Sequence, residues 1–230
     1  MKLKKVAALC SQSGIFYLYD QIDENGEVVC QWLGDGCAAY PITGLPYMDT
    51  DNICAMFDIP EKKQEKMIFR HTPAPVDINW EDTDTEEWKI DDPRLCVRHE
   101  GREMLPLRTT AGLTFIQEKY LAPLDNLDYM NLYERRSKSG GVYIVAKIGM
   151  MVQAVIMPMD VVTDDLVDRL DELTRMCRSA LLRKNWSKTG QEQAERADAV
   201  DKGQDTLFQE GADAGEGGVN HAVAELHNES

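Results

Sequence analysis

The chain has 230 residues, 43% hydrophobic and 28% charged, a composition that suits a globular core and excludes a wholly disordered chain. Its formal net charge of −15 argues against nucleic-acid binding by bulk charge. The acidity is uneven, however. Residues 185–230 hold ten acids against three bases and 77–92 hold eight against Lys89, which leaves 21 bases against 22 acids elsewhere. The body is therefore nearly neutral and can still carry a locally basic face.

Residues 2–10 place Leu3, Val6, Ala7 and Cys10 at helical spacing, with Lys2, Lys4 and Lys5 opposite. The five-residue apolar run is too short for a signal peptide, and Leu9 before Cys10 is too large for a cleavage site. No segment approaches the roughly 20 apolar residues that cross a bilayer, so a soluble, cytoplasmic chain is expected, with no membrane contact. Ile15 to Ile22 alternates as a strand, Asn25-Gly26 marks a tight hairpin, and Val28 to Leu33 returns. Gly34-Asp35-Gly36 turns into a strand from Cys37 to Ile42. The cap signals Asp49-Thr50-Asp51 lead into a helix over Asn52–Phe57 that stops near Pro60, and Lys66 to Thr72 reads as another strand.

From Pro73 to Pro93 the composition shifts to Pro, Asp, Glu and Thr, interspersed with Trp80 and Trp88. This predicts a solvated, self-repelling acidic linker or long excursion (73–93), its tryptophans packed back on the body. A hairpin is expected over Leu95–His99 and Met104–Arg108. A helix follows near Thr114–Leu124, then strands at Met130–Arg135, Val142–Ile148 and Met151–Met157, turned by Gly140-Gly141 and Gly149. Residues 164–184 give the clearest helix. Thr163 caps it, Asp164 and Asp165 suit its first turn, and Leu166, Leu170, Leu173, Cys177 and Leu181 form its apolar stripe. Beyond it, 185–230 reads as a disordered acidic tail. The expected organisation is one α+β domain over 1–184. It has antiparallel sheets, a few short helices, two halves (1–72 and 94–162) and a C-terminal amphipathic helix.

The run T-F-I-Q-E-K-Y-L-A-P-L-D-N-L-D from Thr114, followed by strands that close on Val155-Ile156-Met157-Pro158-Met159, resembles the end of a bacterial DNA sliding clamp. The stretch D-N-I-C-A-M-F-D-I-P-E-K-K-Q-E-K-M-I-F-R-H over 51–71 is similar to a clamp's second helix and the strand that follows it. The resemblance implies helices backed by continuous sheets, and a scaffold that tethers partners without catalysis. In the tail, Gln204-Asp205-Thr206-Leu207-Phe208 looks like the Q-x-x-L-F peptide by which polymerases and other proteins bind the bacterial clamp. In that reading Gln204, Leu207 and Phe208 contact a partner. A flexible segment orders on binding and anchors two large side chains in a groove.

Two identities stay open, a small clamp relative or a client that docks on a clamp. The expected partners are replication proteins or a bacterial sliding clamp, with DNA and a second copy of the chain as further candidates. DNA contact would fall to Lys2, Lys4 and Lys5 and to the cluster Arg135, Arg136 and Lys138, with Lys147 nearby, although an exposed hairpin tip explains that cluster as well. The compact, acidic, Met-rich style is also similar to proteins of bacterial phages and mobile elements, so an interaction module unrelated to replication is the alternative.

No catalytic constellation emerges. The six cysteines form no C-x-x-C pair and no His lies at zinc spacing, so no metal or other cofactor is expected. His71 and His99 sit in strand-like runs without a neighbouring nucleophile motif. Asp20, Asp23, Asn25 and Gly26 fail the calcium-loop pattern, because the first and twelfth places fall on Gln21 and Trp32. Gly34-Asp35-Gly36 and Ser139-Gly140-Gly141 match no nucleotide-binding loop.

Overall fold

The computed structural model describes residues 2–91, 95–124 and 129–209, the last stretch with side chains as far as Trp186. The chain divides into two compact units, Met1–Val161 and Val162–Ser230. The first is a mixed α+β body with mostly antiparallel sheets.

Helix α1 (Leu3–Ser13) buries Val6, Ala7, Leu9 and Cys10 on one face. It ends because Gly14 adopts φ +73° and turns its N–H back to the Cys10 carbonyl, a left-handed cap that a side chain would strain. The chain then runs as an antiparallel meander, β1 (Ile15–Ile22), β2 (Val28–Gly34) and β3 (Ala38–Ile42). Asp23 closes the first turn by accepting from the Asn25 and Glu27 amides at 2.9 Å each. Asp49 caps α2 (Thr50–Met56), its carboxylate accepting from the Asn52 amide at 2.7 Å. After the single turn α3 (Glu61–Gln64), β4 (Ile68–Pro73) returns parallel to β1.

The second half contributes β5 (Trp88–Ile90), β6 (Val97–His99), β7 (Arg102–Thr109) and β8 (Gly112–Gln117). A 3-10 turn over Glu118–Leu121 leads into the meander β9 (Met130–Arg136), β10 (Val142–Ile148) and β11 (Met151–Ile156). The helix expected near Thr114–Leu124 is thus a strand followed by one 3-10 turn. Residues 112–117 pair antiparallel with β7, and the Phe115 carbonyl also accepts from the Met159 amide at 2.8 Å. Sheet pairing suits the run Thr114-Phe115-Ile116, whose β-branched and aromatic side chains favour strands, and it overrides the helical spacing.

Eight strands form one sheet in the order β4-β1-β2-β3-β11-β10-β9-β5, and β6-β7-β8 form a second. The large sheet is palindromic in plan. Each half supplies a three-strand meander led by a helical turn, the third strands β3 and β11 meet at the centre, and a shorter strand closes each edge. The two helical leads lie together, since the Lys2 amide donates to the Pro123 carbonyl at 2.8 Å. Val6 and Cys10 of α1 share one core with Tyr120, Leu121, Leu33, Ile144 and Ile156. The halves differ elsewhere: β4 follows its meander and runs parallel to its neighbour whereas β5 precedes its own and runs antiparallel, and among the described residues neither α2 and α3 nor β6-β7-β8 have a counterpart in the other half.

The other face of the large sheet carries a second cluster of Trp32, Ala39, Trp80, Tyr143, Val145, Val152 and Val155. Residues 74–87 cover it as a strap. The expected solvated linker is therefore a packed element. Trp80 is buried with its indole N–H on the Pro75 carbonyl at 3.0 Å, while Trp88 stays 62% exposed.

In the second unit, α4 spans Asp164–Gln209. Thr163 caps it as expected, its hydroxyl accepting from the Leu166 amide at 3.3 Å. The helix continues past Lys184 through part of the segment read as disordered. Arg, Lys, Gln, Glu and Ala, all good helix formers, make up much of 183–199. Residues 210–230 lie outside the described residues.

Candidate functional site

The DNA-binding residues expected from sequence separate in space. Lys4 and Lys5 stand on the exposed side of α1, opposite the face that packs on the sheet, and Lys2 is exposed at its start. Arg135 does not share such a surface. It is 1% exposed, and all five of its guanidinium N–H groups are used within the body. Nε and Nη2 donate to Glu87 Oε2 at 2.9 and 2.7 Å; Nη1 donates to the Asn79 and Glu81 carbonyls at 3.2 and 2.8 Å; Nη2 also donates to the Asp82 carbonyl at 3.3 Å. No donor remains for a phosphate, so the assignment of Arg135 to DNA is corrected: this side chain holds the strap. Lys147, also buried, donates to Glu87 Oε1 at 2.7 Å from the same face.

Arg136 follows Arg135 in β9, so its side chain points to the opposite face of the sheet. There it is half exposed, donates to Thr110 Oγ1 at 2.9 Å and lies 3.8 Å from the buried Glu134 carboxylate. Glu134 also accepts from the Thr110 amide at 2.6 Å and from the Thr110 hydroxyl. Lys138 is exposed at the hairpin tip, where its amide donates to the Asp77 carbonyl at 3.0 Å. Of the basic cluster, Arg136 and Lys138 reach solvent, and acids of the body stand beside both.

Gln204, Leu207 and Phe208 fall near the end of α4, on helical backbone. Their side-chain placement lies outside the described residues.

One polar cluster escaped sequence reasoning. Asp20 on β1 meets His71 on β4 (Nε2 to Oδ2, 2.8 Å), accepts from the Tyr47 hydroxyl at 3.0 Å and accepts from Gln31 Nε2 at 2.7 Å. Gln31 in turn accepts from the Met48 amide at 2.6 Å and donates to its carbonyl at 3.0 Å, which ties the 43–48 loop to the sheet. Partial burial opposes ionisation of Asp20, but the hydrogen bonds from Gln31, His71 and Tyr47 outweigh it and hold the carboxyl below its ordinary range. The parallel pairing of β4 with β1 assembles this cluster, and no local sequence signal announces a pairing between segments so far apart in the chain. Asp20, His71, Tyr47 and Gln31 are the bonded members of this cluster among the described residues. Its bonds describe a loop anchor.

A small cavity of about 160 Å³ opens between the strap and the sheet, lined by Tyr19, Cys37, Ala39, Ile78, Trp80 and Met157 among others. The neighbouring turn is braced by Asp35, which accepts from the Cys37 and Ala38 amides at 3.0 Å each and from the Tyr120 hydroxyl at 3.1 Å. Gly34 is required just before it, since a Cβ there would stand 1.9 Å from the Ala38 carbonyl oxygen. Among the described residues, no group of three or more His, Cys, Asp and Glu side chains is placed to hold a metal ion. Nor is any helix among them long and apolar enough to cross a membrane. Comparison with known proteins finds no matching family model, no matching curated protein and no matching solved structure.

Proposed function

We propose that the chain is a non-enzymatic accessory protein of DNA replication or repair, acting either as a small relative of the bacterial sliding clamp or as a client that docks on one. The observation that carries this reading is the repeated connectivity of the body. Two three-strand meanders, one led by helix α1 and the other by the 3-10 turn over Glu118–Leu121, join through their third strands into one continuous sheet, with both leads in the same core. The charge distribution supports it too, because Glu87 of the strap is turned toward Arg135 and Lys147 on the strap side, while α1 presents Lys4 and Lys5 to solvent on the helical side.

Two measurements test it. Duplex DNA titrated by fluorescence anisotropy should bind through α1, and Lys4→Glu/Lys5→Glu should lower affinity about tenfold or more and reduce the salt slope by about 2. Immobilised bacterial sliding clamp should capture the full chain, and Leu207→Ala/Phe208→Ala should abolish capture. Failure of both removes replication from the reading. The favoured alternative is then an interaction module whose single 3-10 turn, carrying only Lys119, is too short and too weakly basic to line a DNA channel.

A further inference from the structure

Helix α4 carries an apolar stripe that nothing among the described residues of its own unit covers. Leu170, Leu173, Cys177 and Ala180 recur at alternating spacings of three and four, the seam of a two-helix coiled coil, whereas Leu166 before them is buried. Leu173, Met176 and Leu181 on or beside that seam are 55%, 62% and 60% exposed. The charges along the helix are not mixed. Residues 164–172 hold five acids against Arg169, whose guanidinium is taken by Asp165 at 2.9 Å, whereas 173–186 hold Arg175, Arg178, Arg183 and Lys184 and no acid. The helix is therefore acidic at its start and basic in the following turns.

We propose that α4 is a self-association surface, on which two copies of this chain pair antiparallel along the Leu170–Leu181 stripe, the acidic turns of each against the basic turns of the other. Parallel pairing would set acid against acid and base against base, which like-charge repulsion disfavours. Antiparallel pairing sets the acidic turns of each helix alongside the basic turns of the other, and one register matches the apolar seam. With Arg175 at the two-fold axis, Leu173 of one copy packs on Cys177 of the second, and Leu170 packs on Ala180. In the same register Val167 meets Leu181 beside the seam and Met176 meets its own equivalent. The inference stands on α4 alone and is independent of the replication reading.

Light scattering across a concentration series of the full chain should show the mass rising from 26.0 kDa toward twice that value. Leu173→Glu/Leu181→Glu should return it to the single-chain mass, with the circular dichroism of the folded body retained. Orientation is read from thiol cross-linking in a Cys37→Ser/Cys96→Ser background under copper–phenanthroline. L173C should link across copies to the native Cys177, and L173C/C177S should not link. A single-chain mass at every concentration overturns the proposal, as does a dimer that the double glutamate variant leaves intact. Cross-linking of Cys177 to its own equivalent in the otherwise unaltered background, or of L173C/C177S, would mean parallel helices and would also overturn it.

Discussion

Arg135 shows how far a residue's role can depart from its type. In sequence it belongs to a basic run, Arg135-Arg136-Ser137-Lys138, and a phosphate contact is the natural expectation. Strand alternation sends it to the face opposite Arg136, beneath the strap, where its planar fork meets one carboxylate and three carbonyls at once. A buried cation is tolerated only with such complete pairing, and removal of one partner leaves the others stranded. Arg135→Met should therefore destabilise the body by roughly 3–5 kcal/mol, read as a lower urea midpoint. Arg135→Lys should recover only part of that, because one ammonium cannot replace five N–H groups in a fixed plane. A Met variant as stable as the parent would show that the strap is held by its apolar contacts alone.

At the scale of elements, strands with alternating side chains and a glycine turn were readable from sequence. The hairpin at Asn25-Gly26, the meander over 130–157 and α1 all lie close to their expected bounds, because each signal is local. The elements that sequence concealed depend on distant partners. β8 owes its form to β7 and Met159, and the strap owes its order to Arg135, Lys147, Tyr143 and Ser139, all of which follow it by many residues. Eight acids in sixteen residues look self-repelling until these donors are counted. Two of those acids also predict how the strap responds to acid. Hydrogen bonds from Ser139, above all from its hydroxyl, hold Asp77 below its ordinary range. Asp84 is held down by the Glu86 amide, Asn79 and Arg135 against the opposing effect of burial. A carboxyl depressed in the folded state contributes stability above its unfolded pKa, and that contribution is lost as pH falls through the folded value. Strap attachment should accordingly be full at neutral pH and weaken below about pH 4, seen as a red shift of tryptophan emission as Trp80 and Trp32 become wet. Trp80→Phe should reduce the amplitude of that shift. An emission spectrum unchanged down to pH 2 would separate the strap's order from its carboxylates.

The whole body depends on the seam between its halves. Backbone pairing there is brief, with Val155 opposite Ala39 and Ile156 opposite Ala38. The side chains make the junction firmer, since Phe16, Leu18, Leu33 and Tyr40 from the first half share one continuous core with Leu107, Ile116, Leu132, Ile144 and Ile156 from the second. Neither meander could keep this face dry alone, because each uses the other, together with α1 and the 3-10 turn, as its cover. The palindromic plan therefore describes connectivity and not two independent folding units. Ile156, fully buried at the seam, offers the sharpest test. Ile156→Ala should cost about 2–5 kcal/mol through lost burial and the cavity left behind. That cost should appear equally in native-state hydrogen exchange at the Leu33 amide of β2 and the Ile144 amide of β10, since one cooperative opening exposes both. Leu18→Ala, made wholly within the first half, should lower protection at both positions in the same way. Protection lost in β10 but kept in β2 would mean that the two meanders open separately, and that the sheet is a joint between two units where the shared core demands one.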